Sequence, residues 1–345
     1  MPNTLPRKIA VMGAGSWGPT FAQVLADAVE HHDIPVMIWA RRSEAAAEIN
    51  ERHTNSRYLR ETKLPANISA SSDKAEVLAQ ADLVVLAIPS QSLRSELAEF
   101  KQYLETGAVL LSLMKGLERG TDLRMSEVIA EVTALPQDKV AVLSGPNLAM
   151  EIAREQPTAS VVACTDPEVA AWIAELCSAP YFRPYTNDDV LGVELGGIVK
   201  NIIALAVGMC DGMGFGDNTK SSVITRGLAE TTRLVLSLGG RMDTLAGLSG
   251  LGDLVATCSS ALSRNNTAGR LLGQGLFLEE VNDRMSQTAE GIKSARAVFD
   301  LATAHGVDMP ITEAVTMVLE GNLSVENMAQ RLLARDLKSE GELQS

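Results

Sequence analysis

The run Lys8-Ile9-Ala10-Val11-Met12 leads without a break into Gly13-Ala14-Gly15-Ser16-Trp17-Gly18, and no other stretch narrows the possible folds as much. A short apolar run bounded by glycine reads as a buried strand, and Ser16 to Val29 reads as the helix after it. In a G-x-G-x-x-G turn the first glycine permits the tight bend. The second lets a pyrophosphate approach the backbone, and the third lets helix and strand pack closely. The pyrophosphate then rests on the helix N-terminus, where amides and dipole are positive. The plainer alternative is an ordinary glycine turn.

The pattern continues. Val36-Met37-Ile38-Trp39, Ala81 to Ile88, Ala108 to Leu113 and Lys139 to Leu143 are further apolar runs, and Val161 to Cys164 and Tyr181 to Tyr185 extend the series. Asp166-Pro167-Glu168 offers a helix N-cap, an N1 proline and a first-turn acid. Continuous apolar strands separated by helices argue for a parallel, doubly wound sheet. After about residue 188 strand-like runs vanish, and apolar residues recur at helical spacing through Leu337. The expected class is α/β: a Rossmann-type doubly wound sheet over 1–188, an all-α substrate and catalytic domain over 189–337, and a flexible polar tail over 338–345. A length of 345 residues fits two domains at about 150 residues each.

Composition removes other classes. Lys and Arg total 30 against 43 Asp and Glu, a formal net charge of −13, so the surface repels nucleic acid and anionic membranes. Cys164, Cys177, Cys210 and Cys258 form no C-x-x-C pair, and the four histidines show no ligand spacing, which predicts reduced thiols and no metal. The best membrane candidate, Ile198 to Met209, contains Lys200, and the first apolar run is too short for a signal peptide. The expectation is a cytoplasmic chain with no stable membrane insertion.

Several residues carry chemistry. Arg41 and Arg42 follow the second strand, where an NAD enzyme often places an acid for the ribose. They suit a 2′-phosphate, or they are solvated surface arginines. Other strand ends present Ser90, Lys115 and Ser144-Gly145-Pro146-Asn147. Lys115 is the only cation among them, placed where a sugar or substrate phosphate would lie, whereas Ser90 and Asn147 either face a ligand there or, as such residues more commonly do, cap the helices that follow. Leu195 to Met209 is a nearly all-apolar helix broken by Lys200 and Asn201. A desolvated lysine loses basicity and becomes a general acid or base; the alternative is an ammonium that reaches water along its stem. Asp253, after Gly250-Leu251-Gly252, either orients that lysine or is a turn aspartate. Ser263-Arg264-Asn265-Asn266 before Thr267 to Leu272 is a phosphate cradle or a plain serine cap.

Taken in order, GAGSWG (13–18), WARR (39–42), IPSQSLR (88–94), KGLERGT (115–121), SGPN (144–147), VKNIIALAVG (199–208), GFGDNTKSSVITRGLAE (214–230), GLGDL (250–254) and SRN (263–265) resemble the bacterial NAD(P)-dependent glycerol-3-phosphate dehydrogenase family. The resemblance implies that Gly13, Gly15, Ser16, Trp17, Gly18, Arg41 and Arg42 contact NAD or NADP, with Ala149 beside it. Lys115 would touch cofactor and substrate, and Gly145 and Asn147 would line the substrate pocket. Lys200 would exchange the proton with Asn201 and Asp253 in support, all close to substrate. Ser263, Arg264 and Asn265 would hold the substrate phosphate, Arg264 also reaching the cofactor, over which Thr288 and Glu290 would close. Asn147 departs from the usual Ser or Thr, and Thr288 from the usual valine. The resemblance further implies a helical domain like the C-terminal domain of 6-phosphogluconate dehydrogenases, a homodimer, and reversible hydride transfer between NAD(P)H and dihydroxyacetone phosphate giving sn-glycerol 3-phosphate for phospholipid synthesis. The competing readings are a reductase of another small keto acid or 3-hydroxyacid, and a dinucleotide-binding regulator without catalysis.

Overall fold

A computed structural model describes residues 4–285 and 289–333, which form two compact units. One holds the described residues up to Met114 together with Arg124–Val190; the other holds Lys115–Leu123 and the described residues from Leu191 onward.

The first unit carries β1 (Ile9–Met12), β2 (Val36–Trp39), β3 (Ile68–Ser71), β4 (Leu83–Leu86), β5 (Val109–Ser112), β6 (Val140–Ser144), β7 (Thr158–Ala163) and β8 (Phe182–Asn187). They form one sheet in the order β3-β2-β1-β4-β5-β6-β7-β8. All four residues of β1 are fully buried, as continuous apolar strands require when helices cover both faces. β1 pairs in parallel with β2 and with β4, so the strand order reverses beside it. Ligands of such sheets gather at that switch point, beyond the carboxyl ends of the strands. Gly13 and Arg41 follow β1 and β2 there. The predicted first helix spans Trp17–Ala28, and Asp166 caps Pro167–Leu176 by accepting from the Glu168 amide at 2.9 Å.

Three features differ from the sequence reading. β3 is Ile-Ser-Ala-Ser, with too little apolar character to stand out. β7 runs antiparallel to β6, with Val142 opposite Ala163, whereas β8 is parallel to β7. The connection from β6 contains only the one-turn helix Ala149–Ile152, too short to cross the sheet and re-enter from the far end. Finally, Lys115–Leu123, expected within the first domain, packs with the helical unit. Leu117 is fully buried in the helical core, and Arg119 Nε donates to the Lys293 carbonyl at 3.1 Å, 174 residues further along the chain.

The second unit is helical, as expected. Within its central helix, Val190–Gly212, an 18-residue stretch has a mean hydropathy of 1.8 and meets the length and composition of a membrane span, but 89% of that stretch is buried in protein. A helix apolar all round belongs in a core, and this one is a core helix. Helix Arg264–Gly273 crosses it at backbone contact. A Cβ at Gly208 would lie 2.2 Å from the Asn266 carbonyl oxygen, and one at Gly269 would lie 2.1 Å from that of Leu205. Only glycine permits this approach, which brings Asn265 against Asn201.

Candidate active site

The nucleotide end lies in the sheet unit. Gly13 adopts φ +128°, and a Cβ there would strike the Ala87 carbonyl oxygen at 2.4 Å. At Gly18 a Cβ would fall 2.0 Å from the Gly13 carbonyl oxygen, so this glycine is required for helix and turn to close on each other. Gly15 is different, because no described residue lies within 4 Å of where its side chain would begin. Ser16 precedes helix Trp17–Ala28 without capping it through its side chain. A turn with an open glycine and an uncapped helix start fits a dinucleotide pyrophosphate. Trp17 is half-buried, and its ring lies 5.7 Å from that of Phe21, so it supports the turn from the core side. Arg41 and Arg42 are exposed, and neither pairs with a carboxylate among the described residues, which leaves both available to an anion. Ala149 opens its one-turn helix beside the first helix, its carbonyl 3.5 Å from Thr20 Oγ1.

The end of β6 is organised by a residue that the sequence did not single out. Ser160 on β7 donates to the Ser144 carbonyl at 2.9 Å and accepts from Asn147 Nδ2 at 3.1 Å. Asn147 is therefore held by its amide rather than serving as a helix cap, and its buried Oδ1 has no hydrogen-bond partner among the described residues. Gly145 adopts φ +147°, with Ser160 so close that a Cβ would touch it at 3.0 Å.

In the helical unit, one carboxylate joins two lysines. Lys200 Nζ lies 2.7 Å from Asp253 Oδ1, and Lys115 Nζ lies 2.5 Å from Asp253 Oδ2. Asp253 is only 1% exposed and Lys200 only 8%, so the lysine does not reach water along its stem. Asp253 opens helix Asp253–Ser259 rather than ending a loose turn. Thr257, one helical turn later, accepts from Lys200 Nζ at 2.6 Å and donates to Asp253 Oδ1 at 3.2 Å. Thr257 was missed in the sequence, although its i+4 spacing from Asp253 puts both on one helix face. Burial draws the Lys200 pKa down to about 8; Asp253 opposes this shift and the charge of Lys115 adds to it. A lysine poised there is populated as acid and as base near neutral pH. The two ammoniums exceed the one carboxylate by one charge, which favours an anion or a developing alkoxide.

A second network adjoins it. Asn265 Nδ2 donates to Asn201 Oδ1 at 2.9 Å, and Asn265 Oδ1 accepts from the Gly291 amide at 2.9 Å. Asn201 therefore lies beside the start of helix Glu290–Ala304. Ser263 caps helix Arg264–Gly273, accepting from the Asn266 amide at 3.2 Å, so the plain capping role is real. Arg264 is the exposed first residue of that helix, within electrostatic reach of Glu290. Thr288 lies outside the described residues. No group of His, Cys, Asp and Glu among the described residues has metal-binding geometry.

The family models described as NAD-dependent glycerol-3-phosphate dehydrogenase N-terminus and C-terminus match residues 8–170 and 189–330. The glycerol-3-phosphate dehydrogenase (NAD(P)+) of Thermobifida fusca is 55% identical over 333 residues, covering 96% of this chain and 98% of that protein. The crystal structure of glycerol-3-phosphate dehydrogenase from Coxiella burnetii is similar at a TM-score of 0.89 and 36% identity, covering 96% of this chain and 99% of that one. A ketopantoate reductase from Ralstonia eutropha, at TM-score 0.58 and 17% identity over 93% of this chain and 99% of its own, shares the fold alone. Matched over both units in order, and carrying the paired lysines on their shared aspartate, the chain belongs to the NAD-dependent glycerol-3-phosphate dehydrogenase family.

Proposed function

We propose that this chain catalyses the reversible reduction of dihydroxyacetone phosphate to sn-glycerol 3-phosphate, with NADH or NADPH as hydride donor. The observation that carries the reading is Lys200, a buried amine with its pKa near 8 on a carboxylate shared with Lys115. When bound, the nicotinamide supplies the hydride to the C2 carbonyl carbon, or accepts it in reverse. The rest falls to the side chains. Lys200 as ammonium polarises the C2 oxygen and donates a proton to it; as neutral amine it removes that proton in the oxidation. Asp253 orients the amine, and because it also serves Lys115, it does not hold Lys200 permanently charged. Asn201 supports the same oxygen.

Ser263, Arg264 and Asn265 receive the phosphate, aided by Lys115. The Asn265 side chain already serves Asn201 and Gly291, so its share comes from its remaining N–H or its backbone amide. Holding the phosphate away from C2 uses binding energy to orient the carbonyl, an effect worth several kcal/mol. Gly145 and Asn147 line the substrate pocket, while Gly13, Gly15, Ser16, Trp17, Gly18, Arg41, Arg42, Ala149, Thr288 and Glu290 serve the dinucleotide. The same reading has the chain working in the cytoplasm as a homodimer that feeds phospholipid synthesis, with functional domains at 1–188 and 189–337, Lys115–Leu123 packing with the second.

The test is NAD(P)H oxidation by the purified chain on addition of dihydroxyacetone phosphate, run with each cofactor and with unphosphorylated dihydroxyacetone as control. Phosphate-dependent oxidation is expected. Lys200→Ala should keep dinucleotide affinity and lose at least about 10²-fold in kcat. No oxidation with either cofactor sinks the proposal, and normal turnover of the variant removes Lys200 from its role.

A further inference from the structure

Asn55 lies in the crossover from β2 to β3, far in sequence from the glycine turn, yet it is only 2% exposed. Its Nδ2 donates to the Ala14 carbonyl at 3.0 Å. The Ala14–Gly15 peptide is trans and planar, so a carbonyl held toward Asn55 aims the Gly15 N–H the opposite way. Among the described residues that amide makes no hydrogen bond, and none lies within 4 Å of where a Cβ on Gly15 would sit.

The crossover that presents Asn55 is itself held in place. Glu48 Oε1 accepts from the Ser56 amide at 2.7 Å and from Thr54 Oγ1 at 3.0 Å, bonds that keep its carboxyl below the usual carboxylate range. The amides of Tyr58 and Leu59 bond back to the Asn55 carbonyl at 3.0 and 2.8 Å, and Leu59 is fully buried. Asn55 is thus fixed on both sides of its side chain.

We infer that Asn55 is a positioning residue for the dinucleotide: it sets the Ala14–Gly15 peptide so that the Gly15 N–H faces the diphosphate bridge, and Glu48 holds the segment that carries it. This deepens the reading of the glycine turn as a dinucleotide site and rests on it. A buried carbonyl that loses its donor lets the peptide rotate, and the diphosphate then meets a turn that is no longer organised in advance.

The test compares wild type with Asn55→Ala and with Asn55→Leu, which keeps the volume and removes the donor, and with Glu48→Gln, which loosens the crossover more gently. Dissociation constants for NADH and for ADP are read beside kcat and KM for dihydroxyacetone phosphate at saturating cofactor. Both Asn55 variants should bind NADH and ADP about tenfold more weakly, the weight of one buried hydrogen bond, with kcat within twofold of wild type. Glu48→Gln should show a smaller loss of the same kind, and it carries the test if the Asn55 variants do not fold. Unchanged NADH and ADP affinity in the variants that fold overturns the inference, as does a fall in kcat with affinity intact. Failure of the wild-type chain to bind NADH at all would instead overturn the dinucleotide reading beneath it.

Discussion

Replacing Asp253 by asparagine tests the centre of the site most sharply. The carboxylate is 1% exposed and holds Lys200 Nζ at 2.7 Å and Lys115 Nζ at 2.5 Å. Removing one partner of a buried ion pair costs about 3–5 kcal/mol if the remaining charge stays in place. Lys200 has a cheaper route. With its pKa already near 8, shedding its proton at pH 7 costs only about 1.4 kcal/mol, and less once the attraction of Asp253 is gone. The variant should therefore hold a neutral Lys200 at pH 7 and lose roughly 2–3 kcal/mol, while the less buried Lys115 turns to solvent. For a helical unit of this size that is a fall of about 5–10 °C in Tm.

The kinetic signature is directional. In wild type the reduction needs the ammonium and should decline as pH rises through about 8, whereas the oxidation needs the amine and should rise over the same interval. In Asp253→Asn both inflections should move to lower pH, and reduction at pH 7 should drop by at least about 10²-fold. The assay is the pair of pH–rate profiles, with thermal melts as the control on folding. A variant whose inflections stay at the wild-type pH, with kcat within twofold, would refute the role of Lys200 as a proton donor tuned by its carboxylate.

Other consequences are equally open to measurement. Arg41→Ala should weaken NADPH binding more than NADH binding; equal losses would return Arg41 to the solvated surface. Gly208→Ala puts a methyl group 2.2 Å from the Asn266 carbonyl oxygen, so the crossing helices must part, at a cost above about 2 kcal/mol in chemical denaturation. Glu230, buried under the start of helix Pro310–Leu319, accepts from the Ile311 and Thr312 amides, yet burial outweighs these bonds and pushes its pKa up to about 7. A folded pKa above the unfolded one means stability that is full below about 4.5 and lost as pH rises through 7. The loss amounts to roughly 3 kcal/mol, and Glu230→Gln should flatten that slope in melts across the interval. The Cys258 thiol, raised to about 12 by burial, should resist alkylation in the folded chain at pH 8.

Local patterns in the chain determined the sheet unit and the helical unit, because strand and helix periodicities and the glycine turn depend on neighbours a few residues apart. The same holds for the oddity of Lys200-Asn201 in an apolar helix and for the cap at Ser263. The tertiary structure alone decided the partners. Lys115 meets Asp253 across 138 residues of sequence, and Asp253 and Thr257 meet Lys200 across 53 and 57, and no periodicity encodes those meetings. It also decided that Lys115–Leu123 packs with the helices, that β7 reverses, and that Ser160 and Asn55 hold atoms on distant loops. A hydrogen bond is set by distance and direction in space, and burial, which tunes the lysine, is a property of everything packed around it.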